Sequence, residues 1–471
     1  MRLTIIGGGP AGYTAAFEAA RRGCEVTLVE RSAMGGTCLN HGCIPTKTLR
    51  ASADAMDMAR RLAEYGITGC TAPGIDAAAV QRRKTSVIDI LRGGLEKTCG
   101  RLGIHRLHGA ARVRDARTVT VRADDGEQQV EGDAIILATG SCIRELPGLK
   151  PDHVRICDSD DALELAEIPE SCIIVGGGVI GCELAGILTA FGSRVTVVEA
   201  QDRLLPLPSV DADISTLLAR ELRKRKVRML PGHTLANVRI EDGLVRATAT
   251  PWGEHDTARE EPLEAARLFV TVGRGPATDG LGLAEAGIDT DKGGWIAVDE
   301  QLRTSVPGIY AAGDALGPSH VMLAHVAAME GLAIVESLLG GNGRMEYAAV
   351  PSAIFTAPEI GCVGLTEAQA RAAGAEVVCG VTQMRELGKA HAMGELPGFF
   401  KIVADRQDGR ILGVHMAGAH ASDLLGEATL ALSLKAGLRD MAATIHAHPT
   451  LSEGLLEAAR AALHEMERAS A

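Results

Sequence analysis

The 471-residue sequence is poor in aromatic side chains, which make up 3% of it, so stacking or gating by rings beside a planar ligand has little material. It also lacks an excess of positive charge: 48 Lys and Arg face 60 Asp and Glu, a formal net charge of −12. Phosphate binding needs a concentrated basic surface, and the longest basic cluster, residues 223–226, reads as a solvated helix face; nucleic acid is not expected as a partner. No long apolar run is uninterrupted. The most apolar stretch, residues 172–191, carries Gly176, Gly177, Gly178, Gly181, Gly186 and Glu183, which argues against a membrane span. Only Arg2 precedes LTIIGGGPAG and no small-residue cleavage site follows, so a secretory leader is not expected and a cytoplasmic location is.

Eleven cysteines (24, 38, 43, 70, 99, 142, 157, 172, 182, 362 and 379) are odd in number and mostly isolated in apolar segments, unlike a secreted disulfide framework. Most are expected to be buried, inert thiols. No second pair with zinc-ligand spacing follows Cys38 and Cys43, so no metal site is expected. Glycine, by contrast, is abundant at 56 residues without a collagen-like period, in a chain that is 46% hydrophobic. That composition is globular, and the length suits about three domains of ~100–200 residues with many tight turns and close backbone approaches.

One pattern occurs twice. Residues 3–30 read as strand, glycine turn, Ala-rich helix and strand, and residues 172–199 repeat them at an offset of 169. Each copy carries G-x-G-x-x-G, as Gly7, Gly9, Gly12 and as Gly176, Gly178, Gly181, and each ends its second strand on a carboxylate, Glu30 or Glu199. The first glycine permits a tight turn, the second lets backbone N–H groups approach a pyrophosphate, and the third allows close helix packing. The helix N-terminus favours the phosphate charge, and the terminal Glu can accept from ribose hydroxyls. A lone glycine motif is weak, because such turns also occur for purely structural reasons; two copies with the same flanks predict two dinucleotide sites. At the second site Glu199 would repel a ribose 2′-phosphate, which favours NAD over NADP, although Arg203 lies close enough to serve such a phosphate instead.

After the first copy comes GGTCLNHGCIPTK, residues 35–47. Four residues separate Cys38 from Cys43, close enough for a small disulfide loop if the backbone bends suitably. Pro45 suits a helix first turn, which would place Cys43 near a helix N-terminus, and Lys47 adds positive charge. Two buried free cysteines or a metal pair are the alternatives. Near the C-terminus stands HAHPTLSE, with His446, His448 and Glu453; a carboxylate close to an imidazole orients the ring and raises its basicity. Taken alone, such histidines are ordinary loop residues or caps.

The order of IIGGGPAG, GGTCLNHGCIPTK, IILATGS, IIVGGGVIGCELA, VGRGP, PGIYAAGDA, MLAHVAAMEG, TAPEIGCVGLTE and HAHPTLSE resembles the class I pyridine nucleotide-disulfide oxidoreductases, most closely their dihydrolipoamide-oxidising members. The likeness runs almost end to end. It implies an α/β fold of two Rossmann-like dinucleotide-binding domains, glutathione-reductase-like, plus a C-terminal α+β dimerisation domain. The expected boundaries are 1–147 and 273–341 for a discontinuous FAD domain, 148–272 for the NAD domain and 342–471 for the interface domain. The resemblance further implies FAD held by Gly7, Gly9, Gly12, Glu30, Lys47, Thr139, Gly140 and Asp314, and NAD held by Gly176, Gly178, Gly181, Glu199 and Gly273. It makes Cys38 and Cys43 a redox-active disulfide, with Cys38 as interchange cysteine and Cys43 nearer the flavin. Lys47 would pair with Glu183 beside the flavin, while His448 and Glu453 would complete the active site of the opposite subunit of a homodimer. The implied partner is a lipoylated carrier protein of a 2-oxoacid dehydrogenase or glycine-cleavage-type complex.

Two alternatives use the same motifs. One is an NAD(P)H-dependent reductase of a low-molecular-weight disulfide such as that of glutathione; the other is a flavin-containing structural or binding subunit of a multienzyme complex. Leu39, Ile44 and Leu49 around the cysteines suit an apolar lipoyl arm better than a charged tripeptide. Two departures from the family pattern bear on the substrate: Gly275 in VGRGP stands where relatives often carry a second Arg, and residues 385–395, RELGKAHAMGE, replace an NSRA-like segment.

Overall fold

A computed structural model describes residues 1–69, 73–124, 126–253 and 259–468. Cys70 lies outside the described residues. Its first sheet is wholly parallel and runs, edge to edge, through Ile309–Ala311, Ala134–Leu137, Arg2–Ile6, Glu25–Glu30 and His105–His108. Parallel strands covered on both faces read as continuous apolar runs. LTII and AIIL are such runs, and Leu3, Ile5, Ile135, Ile136 and Leu137 are all buried. The helix Pro10–Arg21 covers this sheet and in turn packs on the helix Ala324–Leu338 through small residues. A Cβ on Gly331 would stand 2.5 Å from the Ala11 carbonyl oxygen, so the crossing depends on a glycine there.

The second sheet repeats this plan, in the order Arg228–Pro231, Arg194–Glu199, Ser171–Val175, Arg267–Val270 and Ile156–Cys157, again all parallel. Register repeats with it: Arg2 lies opposite Glu25 as Ser171 lies opposite Arg194, at the offset of 169 found in the sequence. The repeat extends further than the motif. In each copy a three-stranded antiparallel sheet follows, over Ala110–Val113, Thr118–Ala123 and Gly126–Glu131 in the first and His233–Glu241, Leu244–Pro251 and Glu261–Ala265 in the second. Each returns into a strand beside the glycine-motif strand. The edge strand Ile309–Ala311 brings the chain back to the first sheet after the second unit, and so carries Asp314 there.

The C-terminal part is a five-stranded antiparallel sheet, in the order Ser352–Ile354, Glu359–Gly364, Ile411–Gly418, Phe399–Asp405 and Val377–Gln383. The helices Ala421–Ser433 and Glu453–Arg468 pack on it. The latter lies so close that a Cβ on Gly380 would stand 2.0 Å from the Ala458 carbonyl oxygen. One face of this sheet meets the second unit: Lys401 is buried between Asp211, Asp213 and Glu367, 2.8 Å from the last two. The stretch at residues 172–191 is a sheet strand and a helix, and among the described residues no helix is long and apolar enough to cross a membrane. The basic run at 223–226 is largely exposed at a helix end, with Lys224 paired to Glu221 and Arg225 to Asp57.

Candidate active site

Gly35 and Gly36 both have positive φ, 105° and 58°, and turn the chain from the first unit into the short helix Gly36–Asn40, which carries Cys38. A Cβ on Gly36 would lie 2.7 Å from Gly9 Cα, so this turn rests directly on the first glycine motif. Gly42 then caps a 19-residue helix, Cys43–Arg61, whose first residue is Cys43. The predicted helix start is therefore where Pro45 pointed. Cys38 and Cys43 are not bonded to each other, and both are half-buried. The Cys38 thiol donates to Cys43, and this hydrogen bond, together with the Lys47 charge, draws the Cys43 thiol below its ordinary range against the cost of burial. Cys38, as the donor and itself half-buried, is pushed up. One sulfur is thus prepared to be an anion and the other to keep its proton.

Lys47, one turn into that helix, reaches Glu183 in the second unit, with Nζ 3.0 Å from both carboxylate oxygens. Glu183 is buried, so the pair is costly unless satisfied; its remaining acceptor capacity takes the Phe355 N–H at 2.9 Å, and Lys47 Nζ sits 4.4 Å over the Phe355 ring. All three parts of the chain meet at this point. Asp314 accepts from Ser141 Oγ at 2.7 Å, and Ser141 follows Thr139 and Gly140 directly. Thr139 Oγ1 is buried without a hydrogen-bond partner, and the position of a Gly140 side chain is open space.

The two glycine motifs have the same division of labour. A Cβ on Gly7 or Gly176 would strike backbone at 2.1 or 2.7 Å, and both have φ above 100°; a Cβ on Gly12 or Gly181 would strike the carbonyl of Gly7 or Gly176 at 1.8 or 1.9 Å. The middle glycines differ. Gly9 has only Gly36 Cα at 3.7 Å, and Gly178 has nothing within 4 Å. The first and third glycines are needed by the fold, and the second faces a free cradle at a helix N-terminus, which fits a dinucleotide pyrophosphate. Glu30 accepts from the N–H of Gly8 and Glu199 from that of Gly177, each spending its other oxygen on the residue two further along, Ser32 or Gln201. Gly273, with φ 107°, has open space where a side chain would be.

Gly178→Ala is accordingly expected to leave unfolding free energy within about 0.5 kcal/mol of the parent while raising the KM for NADH. Gly181→Ala should cost about 1–3 kcal/mol, because its methyl group overlaps backbone. Denaturant titration beside NADH kinetics checks both. Arg203 is already committed: its guanidinium donates to Ser215 Oγ at 2.5 Å and to the carbonyls of Leu207 and Val210 at 3.2 Å. It is not available for a 2′-phosphate, which removes the argument for NADP.

His448 Nδ1 lies 2.9 Å from Glu453 Oε1, and Thr450 N–H donates to the other oxygen at 2.8 Å. The Thr450 N–H and His448 hold the Glu453 carboxyl below its ordinary range. An ionised carboxylate only accepts, so Nδ1 carries the proton and Nε2 is left as the basic nitrogen. His446, by contrast, is buried against Glu427 at 2.9 Å and Thr444 O at 3.0 Å, a fully used structural ring. Within one chain no hydrogen bond or ion pair of the described residues joins His448 to either cysteine. The His448 side chain is 77% exposed, Ile445 nearby in the chain is 97% exposed, and Leu430 on the helix Ala421–Ser433 and Leu434 just after it are also exposed.

Some expectations need correction. Leu39 and Leu49 are core residues, the latter packed with Ala53, Leu163, Ile187 and Phe191, so neither can line a path for a lipoyl arm; only Ile44 is partly accessible. Residues 385–395 dock on the far end of the Cys43–Arg61 helix, where Arg61 bonds Glu395 at 2.7 Å and the Gly394 carbonyl at 2.8 Å. Eighteen residues of helix put that contact ~27 Å from Cys43 of the same chain. Five of the ten described cysteines are fully buried, and burial pushes Cys172, Cys182 and Cys362 up to about 12; Cys142 is exposed. Phe355, Ser141, Thr37 and Arg274 escaped notice in the sequence. Ser141 and Arg274 stood inside quoted motifs, IILATGS and VGRGP, whereas nothing local marks Phe355.

Comparison with known proteins agrees with this geometry. Residues 1–331 match the family model of pyridine nucleotide-disulphide oxidoreductases, and residues 350–459 match that family's dimerisation domain. The chain is similar to the dihydrolipoyl dehydrogenase of Haloferax volcanii, at 39% identity over 98% of this chain and 96% of the relative. It is similar to that of Chlorobaculum parvum at 40% identity over 98% and 97%. Among solved structures, LpdA from Mycobacterium tuberculosis superposes with a TM-score of 0.90 at 31% identity, covering 98% of this chain and 99% of that one. The chain therefore belongs to the pyridine nucleotide-disulphide oxidoreductase family.

Proposed function

We propose that the protein oxidises dihydrolipoamide carried on a partner protein to lipoamide and reduces NAD⁺, through the Cys38–Cys43 pair and FAD. The cofactors are FAD and NAD. The reading rests on one observation above all: a thiol pair at a helix start, with Lys47 and Glu183 beneath it, seated against the open cradle of the first glycine motif. FAD goes to the discontinuous domain 1–147 and 273–341, NAD to 148–272, and residues 342–471 form the homodimer interface. The exposed apolar side chains of Ile445, Leu430 and Leu434 suit an interface in this part of the chain. The buried free thiols suit a reducing compartment, the cytoplasm.

The chain's own groups divide the work as follows. Nε2 of His448 of the partner subunit takes a proton from one thiol of the substrate, and the thiolate attacks Cys38 Sγ. The Cys38–Cys43 bond breaks and Cys43 leaves as a thiolate, stabilised by Lys47 and the helix N-terminus. The second substrate thiol gives its proton to solvent and attacks the mixed disulfide at the substrate sulfur; lipoamide departs, and the Cys38 thiolate takes the proton held by His448. Two electrons then reside on the cysteine pair. FAD, when bound, supplies their acceptor, and NAD⁺ the final hydride acceptor. Glu453 keeps His448 in the tautomer with Nε2 free.

A substrate panel tests this reading: lipoamide, lipoylated carrier protein, glutathione disulfide and other disulfides, each with NADH and NADPH. The expected order is lipoylated carrier and lipoamide far above glutathione disulfide, with NADH preferred. Preference for glutathione disulfide would replace the reading with a low-molecular-weight disulfide reductase, and preference for NADPH would overturn the role of Glu199.

A further inference from the structure

The helix start that carries Cys38 and the carboxylate of Asp314 are joined by a continuous chain of side chains that no step above uses. Arg274 stands at its centre. Its Nε donates to Ser141 Oγ at 2.6 Å, and its Nη2 donates to the Ser141 carbonyl at 2.8 Å and to Thr37 Oγ1 at 3.3 Å. Ser141 Oγ passes its own proton on to Asp314 Oδ2 at 2.7 Å. Thr37 immediately precedes Cys38 in the helix Gly36–Asn40. Backbone pairing holds the two ends of the fork together, since Arg274 to Pro276 run antiparallel to Ser141 to Ile143. Only a planar fork with several fixed donors spans a hydroxyl, a carbonyl and a second hydroxyl at once, which an ammonium cannot do.

We propose that Arg274 is a positioning residue for the redox pair, fixing Cys38 relative to Asp314 and offsetting the Asp314 charge where the thiols take up electrons; this rests on the pair being redox-active. The charge balance around the pair supports it. Asp314 is one of the anions that push the Cys38 thiol up, and Arg274 is tied to it through the Ser141 hydroxyl. Lys47 draws both thiols down, and Arg274 supplies the second cation beside Thr37, next to Cys38 in the chain. A reduced pair bearing a thiolate is favoured by positive charge, so loss of Arg274 makes the pair harder to reduce.

The test is the equilibrium of the Cys38–Cys43 pair in the FAD-loaded protein, poised in glutathione buffers and read by alkylation and mass spectrometry. Arg274→Met is expected to shift the dithiol–disulfide equilibrium about tenfold toward the disulfide, roughly 30 mV for this two-electron couple. Arg274→Lys, which keeps the charge and loses the fork, should recover most of that shift yet still slow exchange with lipoamide. Arg144→Met, at an exposed arginine just after the strand Ser141–Ile143, should change neither. Ser141→Ala supplies a second variant if Arg274→Met does not accumulate folded, and should weaken FAD retention by cutting Asp314 from the chain. An Arg274→Met equilibrium within twofold of the parent, or an Arg274→Lys shift as large as that of Met, would overturn the proposal while leaving the dithiol chemistry standing. A parent protein with no reversible couple at these two sulfurs would remove both.

Discussion

Cys43→Ser will abolish NAD-linked dihydrolipoamide oxidation, by at least about 10⁴-fold, while the protein stays folded and retains FAD. The substitution is nearly isosteric, and Cys43 is the first residue of the Cys43–Arg61 helix, where a hydroxyl is well tolerated. What is lost is specific to sulfur. A serine cannot form the Cys38 disulfide, cannot hold the electron pair as a stable anion, and makes no use of the Lys47 charge that lowers the thiol. Steady-state turnover with lipoamide, beside the flavin absorbance of the purified variant, distinguishes this from unfolding. A variant that still oxidised dihydrolipoamide would mean that the electrons travel by another route.

His448→Gln is expected to lose about 10²–10⁴-fold in exchange with lipoamide, the usual contribution of a positioned general base, with FAD binding unchanged. Glutamine retains a donor towards Glu453 and lacks a basic nitrogen, so the loss reports proton transfer rather than packing. The pair is also predicted to work across the subunit boundary, because it stands exposed and apart from its own chain's cysteines. Mixing chains makes that measurable. In a heterodimer of a Cys43→Ser chain and a His448→Gln chain, one of the two sites has both parent residues, so random reassortment restores about one quarter of the parent activity from two inactive proteins. No restoration after verified subunit exchange would place His448 and Cys43 in the same chain's site.

How far the sequence could be read depended on whether a feature is local. The 169-residue repeat, its strands, its glycines and both terminal carboxylates are set by short-range spacing, and each took its predicted place. The Cys43 helix start was legible for the same reason, through Pro45. The three-stranded sheets were not, because strands such as Gly126–Glu131 are exposed and polar with weak alternation, nor was Val377–Gln383, a strand broken by a glycine on which a helix sits. The facing of Leu39 and Leu49 was misjudged since neighbours in a sequence say nothing of which helix a side chain packs on. Lys47 and Glu183 are 136 residues apart, and family resemblance alone suggested their pairing. Arg274 and Phe355 act through contacts that form only when three parts of the chain meet.

The most direct measurement follows the two sulfurs themselves. Peptide mapping of the oxidised homodimer, then of the same protein after one equivalent of dihydrolipoamide and again after NAD⁺, should find Cys38 and Cys43 joined, opened to two alkylatable thiols, and joined once more. Two freely alkylated thiols at 38 and 43 under every condition, with lipoamide turnover intact, would contradict the account.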